Sequence, residues 1–132
     1  MPKVFDDDAV LALPAPGRAL RRGLQSVDGR ERFLLDVYRG QLRLDKCSYQ
    51  ERVETSIILI RLDVGGRPHT NPDGTGIPGP HLHEYREGYD DRFARPAPPE
   101  LSAALGDLGT TLEGFLTHCN VQNPPGIQRG LF

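Results

Sequence analysis

The sequence predicts an α+β fold in one small domain: an antiparallel β meander, a C-terminal helix packed on the sheet and a short N-terminal helix. Three observations predict it. Apolar residues alternate with polar ones at period two between residues 30 and 64, the spacing of a strand with one buried face. Turn dipeptides, Asp28-Gly29 and Arg39-Gly40, divide that region into hairpin-length pieces. Beyond residue 100 the spacing becomes helical: Leu101, Leu105, Leu108, Leu112, Phe115, Leu116 and Cys119 make one apolar stripe. A chain of 132 residues is the size of one domain and can bury a core without disulfides, so residues 1–132 are read as a single unit.

Residues 1–17 form an N-terminal segment. The acidic run Asp6 to Asp8 precedes Ala-Val-Leu-Ala-Leu, which predicts one short helix capped by an aspartate. Pro14 and Pro16 then force an extended entry. The sheet is expected over residues 18–95. Phe33, Leu35 and Val37 alternate with Leu34, Asp36 and Tyr38, and Leu42 and Leu44 alternate with Arg43 and Asp45. A longer strand from about Val53 to Val64 is apolar on both faces at its centre, which predicts a central strand covered on each side. Gly65-Gly66 ends it. Residues 67–80 carry Asn71-Pro72, Asp73-Gly74 and Pro78-Gly79-Pro80, so a long irregular loop is expected there. His81 to Arg86 resumes a strand. After Pro96, Pro98 and Pro99, residues 98–120 are helical, with the regular part starting at Asp107 or Thr110 and a capping box between Thr110 and Glu113. Asn120 and Pro124-Pro125 stop the helix, and residues 121–132 are a tail.

A net charge of −2 gives no global basic field that calls for nucleic acid. The charge is uneven: nine Arg or Lys stand against five Asp or Glu between Arg18 and Arg52. The longest apolar run, Ile57 to Ile60, is far too short to span a membrane as a helix. The first residues lack an apolar signal region, so the expected location is the cytoplasm. Cys47 and Cys119 form no CxxC pair and read as two reduced thiols near the core.

The chemistry concentrates between His69 and Phe93, where three of the four histidines fall within fifteen positions. If His81 to Glu87 is extended, His81, His83, Tyr85 and Glu87 share one face, while Leu82, Glu84 and Arg86 share the other. Two imidazoles on one face can divide base and acid duties near neutral pH. RNA cleavage without a metal or other cofactor needs such a pair, plus a cation at the phosphate. On this reading His81, His83, Tyr85, Arg61 and Arg86 are catalytic, and Lys46, Arg43, Tyr49, Arg52 and His69 bind the substrate. The same residues allow a metal reading. His81, His83 and Glu87 spell H-x-H-x-x-x-E, which resembles the first cupin motif, and His69 or Asp73 would complete the sphere of a Zn, Mn or Fe ion. No second cupin motif follows. His69, Asn71 and Asp73 can equally serve the loop alone, since Asn-Pro-Asp-Gly makes a good turn. His118 reads as an ordinary helical histidine.

The pattern Arg61-Leu62-Asp63, Pro68-His69-x-Asn71-Pro72-Asp73-Gly74 and His81-Leu82-His83-x-Tyr85-Arg86-Glu87-Gly88-Tyr89, with Phe93 and Phe115-Leu116-x-x-Cys119-Asn120-Val121, resembles an uncharacterised bacterial domain family from about Arg30 onward. More distantly, the order of strand, turn, HxH, aromatic and helix resembles the TumE-type toxins of toxin–antitoxin pairs. That resemblance implies a toxin-like endoribonuclease of a toxin–antitoxin or mobile-element defence system, acting on RNA and held by a cognate antitoxin or other small protein. A homodimer is compatible with it. The alternatives are a non-enzymatic antitoxin or inhibitor of such a system, and a small metal-binding cupin-like protein.

Overall fold

The computed structural model describes residues 1–41, 46–53, 56–102 and 107–128. In chain order its strands are β1 (Lys3–Phe5), β2 (Leu11–Ala12), β3 (Ala19–Ser26), β4 (Arg32–Arg39), β5 (Cys47–Val53), β6 (Ile57–Val64), β7 (His69–Thr70), β8 (Gly76–Ile77), β9 (His81–Glu84), β10 (Ala94–Pro96) and β11 (Ile127–Gln128). The helices are α1 (Pro99–Ser102) and α2 (Leu108–His118). Seven strands form one sheet in the order β1-β3-β4-β5-β6-β9-β10, with every pairing antiparallel. The fold is therefore mostly β, not α+β: among the described residues two short helices accompany eleven strands.

Period-two alternation gives this sheet two unlike faces. On one, Leu35 and Val37 of β4, Tyr49 of β5, Leu62 of β6 and Leu82 of β9 are buried in a single core. Leu112, Phe115 and Leu116 of α2 belong to the same core, and the rings of Tyr49 and Phe115 lie 6.0 Å apart. The other face carries Arg21, Asp36, Ser48, Gln50, Arg61, Asp63, His81 and His83. The expectation of a central strand from Val53 to Val64, covered on both sides, is corrected accordingly. Val53 closes β5, Ile57 opens β6, and the second face of β6 is polar at Arg61 and Asp63.

Three further expectations change. No helix forms in residues 1–17. Lys3–Phe5 pairs with β3, and Leu11–Ala12 pairs in parallel with β11. The aspartates that were expected to cap a helix have arginine partners instead: Asp7 with Arg22 at 2.6 Å and Asp6 with Arg32 at 3.3 Å. The continuous helical segment over residues 98–120 is two short helices, and residues 103–106 between them, including Leu105, lie outside the described residues. The N-cap of α2 is Asp107, whose carboxylate accepts from the Thr110 N–H at 3.1 Å. Residues 67–80 are not structureless, because β7 and β8 pair as a hairpin. Its turn is closed by Gly74 N–H to the Asn71 carbonyl at 2.8 Å, and Gly74 takes a φ of 90°, open to glycine without steric cost. The alternation at Leu42, Arg43, Leu44 and Asp45 falls outside the described residues. Among those described, no helix is long and apolar enough to cross a membrane.

One buried ion pair fastens β1 to the core. Lys3 Nζ lies 3.2 Å from Glu51 Oε1 on β5 and donates to the Cys119 carbonyl at 2.6 Å, just past α2. Burial pushes the Glu51 carboxyl up, against the pull of Lys3. Removing one member of such a pair leaves an uncompensated buried charge, a loss of about 3–5 kcal/mol. Glu51→Ala should therefore lower unfolding stability in urea by about that amount. Lys3→Met combined with Glu51→Leu should recover most of it. A single variant costing less than about 1 kcal/mol would show that the pair carries no such weight.

Candidate functional site

The polar face is organised by strand register. Antiparallel pairing sets His81 opposite Asp63 and His83 opposite Arg61. It sets Ser48 opposite Asp63 and Gln50 opposite Arg61. Asp36 faces Gln50, and Arg21 faces Asp36. Two rows of polar side chains thus cross the sheet side by side, and directly opposed residues in such rows sit within reach of one another. The first row is tied together by hydrogen bonds that converge on Asp36. The Asp36 carboxylate accepts from Arg21 Nε at 3.0 Å, Gln50 Nε2 at 2.9 Å and Arg52 Nε at 2.6 Å. Burial opposes ionisation of Asp36, but these donors outweigh it and hold the carboxyl below its ordinary value.

The second row centres on Asp63. Its Oδ2 lies 3.4 Å from His81 Nε2, 3.3 Å from His83 Nε2 and 3.1 Å from Arg61 Nε. Ser48 Oγ donates to Oδ1. Arg61 also reaches Asp91 Oδ2 at 2.8 Å through its terminal nitrogen. Burial opposes the Asp63 charge, yet His83, Ser48 and Arg61 together keep the carboxyl well below the usual range. The two imidazoles are nearly inaccessible, at 4% exposed for His81 and 2% for His83. His83 Nε2 is buried beside Asp63 without a well-formed hydrogen bond.

The β7–β8 hairpin folds His69 over this floor. The ring centroid of His69 lies 4.6 Å from that of His83 and 5.5 Å from that of His81, and His81 and His83 are 5.0 Å apart. Asn71 anchors the hairpin to β10 by a two-way bond: its Nδ2 donates to the Ala94 carbonyl at 2.9 Å, and its Oδ1 accepts from the Ala94 N–H at 2.8 Å. Each histidine has one ring nitrogen on a backbone carbonyl: His69 Nε2 on Arg92 at 2.8 Å, His81 Nδ1 on Gly79 at 3.0 Å, and His83 Nδ1 on Asp91 at 2.7 Å. A carbonyl only accepts, so those three nitrogens carry protons, and the second nitrogen of each ring is left for another partner. One ring nitrogen from each of the three lies within 4.8 Å of the others. An adjustment on the order of 1 Å brings them to the spacing of nitrogens around one tetrahedral ion.

These residues form part of the wall of an open pocket of about 580 Å³, whose rim includes Tyr38, Lys46, Arg67 and Pro68. Of the residues singled out in the sequence, the structure gathers His69, His81, His83, Arg61 and Lys46 here. Others are elsewhere. Strand β9 ends at Glu84, so the shared face does not extend to Tyr85 and Glu87, which are exposed. The Tyr85 N–H bonds to the Leu59 carbonyl, and Arg86 enters a turn with Asp90 and lies 3.8 Å over the Phe93 ring. Tyr49 is buried on the opposite side of the sheet, and burial pushes its hydroxyl far up. Arg52 is on the polar face but is engaged by Asp36. Arg43 lies outside the described residues. Glu87 is not in the histidine cluster; the carboxylate beside it is Asp63. Asp63, Ser48 and Asp91 were not among the residues expected to act. The sequence marks Asp63 only through the Arg61-Leu62-Asp63 element of the family resemblance and its place two residues after Arg61 on one strand face, with no chemical role attached.

The model of a family of unknown function (DUF6978) matches residues 1–121. No curated protein and no solved structure matches the chain.

The Asp36 hub gives a pH signature. A carboxyl whose folded value is depressed stabilises the fold above its unfolded value, and the contribution fades as pH falls through the folded value. The stability difference between wild type and Asp36→Asn should therefore be largest above about pH 5 and narrow steadily toward pH 2, read as urea midpoints across that range. A constant gap would remove the charge from the explanation.

Proposed function

The chain belongs to a family of unknown function (DUF6978), and we propose that it is a mononuclear transition-metal enzyme whose ion is held by His69, His81 and His83. The observation that carries this reading is the orientation of the three imidazoles. Each donates one N–H to a backbone carbonyl, the outer-shell arrangement that fixes the tautomer of a metal-ligating histidine. One ring nitrogen of each lies within 4.8 Å of the others, and His83 Nε2 is a buried polar atom with no hydrogen-bond partner. Asp63, ionised and adjacent to two of the rings, adds an oxygen donor.

A donor set of three imidazoles and one carboxylate suits Zn, Fe, Mn or Ni. An ion so held supplies a Lewis acid that polarises a substrate oxygen or a water. The protein's own part is to hold the rings by backbone carbonyls and to fix Asp63 through Ser48 and Arg61. The cluster lines an open pocket, so a substrate could reach an ion there, which favours catalysis over a sealed structural site. A pocket of about 580 Å³ is the size that encloses a small molecule.

The metal-free histidine pair of a ribonuclease draws less support from the same geometry. A general base must come within about 2.6–3.2 Å of the proton it removes. His81 and His83 are buried and direct Nε2 at Asp63, not at solvent.

Metal content tests the proposal. Purified wild type should hold about one equivalent of a divalent transition metal after dialysis, measured by elemental analysis. His83→Ala and His69→Ala should each hold less than about one-tenth equivalent, while His118→Ala should match wild type. Saturating metal should raise the Tm of wild type and leave that of His83→Ala unchanged. Equal metal content in wild type and His83→Ala would overturn the reading.

A further inference from the structure

The pocket around the histidines is not electrically balanced, and its imbalance identifies what enters it. Its acidic residues are already engaged. Asp36 is held by Arg21, Arg52 and Gln50, and Asp63 by Arg61 and Ser48. Two cations remain on the rim. Lys46, just before β5, and Arg67, in the turn after β6, are both exposed, and among the described residues neither is paired with a carboxylate. They belong to one stretch of wall: a Cβ placed on Gly66, next to Arg67, would lie 3.9 Å from Lys46 Cε. The histidines and Asp63 line the same pocket as these cations.

We infer that the pocket binds a small oxyanion-bearing molecule, a carboxylate or phosphate, with its anionic group between Lys46 and Arg67 and an oxygen directed at the His69–His81–His83 cluster. The inference deepens the metal reading and rests on it, because a divalent ion at the histidines adds to the positive charge. Without that ion, the lining of Lys46, Arg61 and Arg67 against Asp36 and Asp63 is still net positive. Arginine offers a planar fork that matches two oxygens of either group, while lysine supplies a point charge. The ring of Tyr38 and the edge of Pro68 give the organic part of the molecule a less polar wall. A pocket of about 580 Å³ suits a small acid or phosphate ester and is too small to enclose a folded polymer.

The test is calorimetric titration of inorganic phosphate and, separately, succinate into metal-loaded wild type and the Lys46→Ala, Arg67→Ala double variant, with metal content measured on each sample. Both substitutions are at exposed positions, so the fold and the metal stoichiometry should be unchanged. At least one of the two anions should bind wild type at one site, and the double variant should bind it at least tenfold more weakly. Tighter binding of phosphate assigns a phosphate ester, and tighter binding of succinate assigns a carboxylic acid. Equal affinity in wild type and the double variant, or binding of neither anion, overturns the inference. Failure of the metal reading is seen separately, as absence of metal from wild type. In that event, anion binding that still depends on Lys46 and Arg67 sustains the oxyanion site without the ion.

Discussion

A carboxylate set in the middle of a sheet, where water has limited access, must find its counter-charges on neighbouring strands, and the layout of this protein's polar face follows from that requirement at Asp63. Taking the charge out of water is costly unless donors surround it. Ser48 from β5 and Arg61 from the same strand donate to it, and the two imidazoles of β9 lie beside it. Arg61 is shared with Asp91, which pulls the segment after residue 86 back across β9. The backbone of that segment in turn presents the Asp91 and Arg92 carbonyls to His83 and His69. One ionised group thus connects strand register, loop position and imidazole tautomer.

The opposite face supplies the rigidity this arrangement needs. Ser48, Asp63 and His83 are interleaved with Tyr49, Leu62 and Leu82, which are buried to 1% exposure or less. A strand cannot shift register by one residue without moving its polar set into that core. The polar rows are therefore located by apolar packing on the far side of the same strands. The Lys3–Glu51 pair and the anchoring of β1 extend this lock to the sheet edge.

Much of the sheet was legible in the sequence, because alternation at Phe33, Leu35 and Val37 reports a one-sided strand directly. The convergence of His81 and His83 on one face followed from the same rule. The extent of that strand was not legible. Gly88 and Asp90 both take positive φ, at 86° and 52°, in the turn that diverts the chain after Glu84, and nothing in the alternation of Tyr85 and Glu87 announces it. The misread N-terminal helix has a related cause. Three aspartates before an apolar run satisfy a capping pattern locally, but Arg22 and Arg32, distant in sequence, claim two of their carboxylates. A role for Asp63 is not legible in the sequence, because most of its partners come from other strands and a lone charge on a strand looks like surface. His69 was legible as a loop residue that hydrogen-bonds. Its partner is the Arg92 carbonyl, on the far side of the site, so the bond that holds the loop also seats the third imidazole.

The central claim is that His69, His81 and His83 act together as ligands of one ion, and X-ray absorption at the edge of the bound metal measures that directly. The account predicts a first shell containing three nitrogen scatterers at about 2.0–2.1 Å for zinc, with the outer-shell scattering typical of imidazole rings. A shell dominated by oxygen, with one imidazole or none, would contradict it.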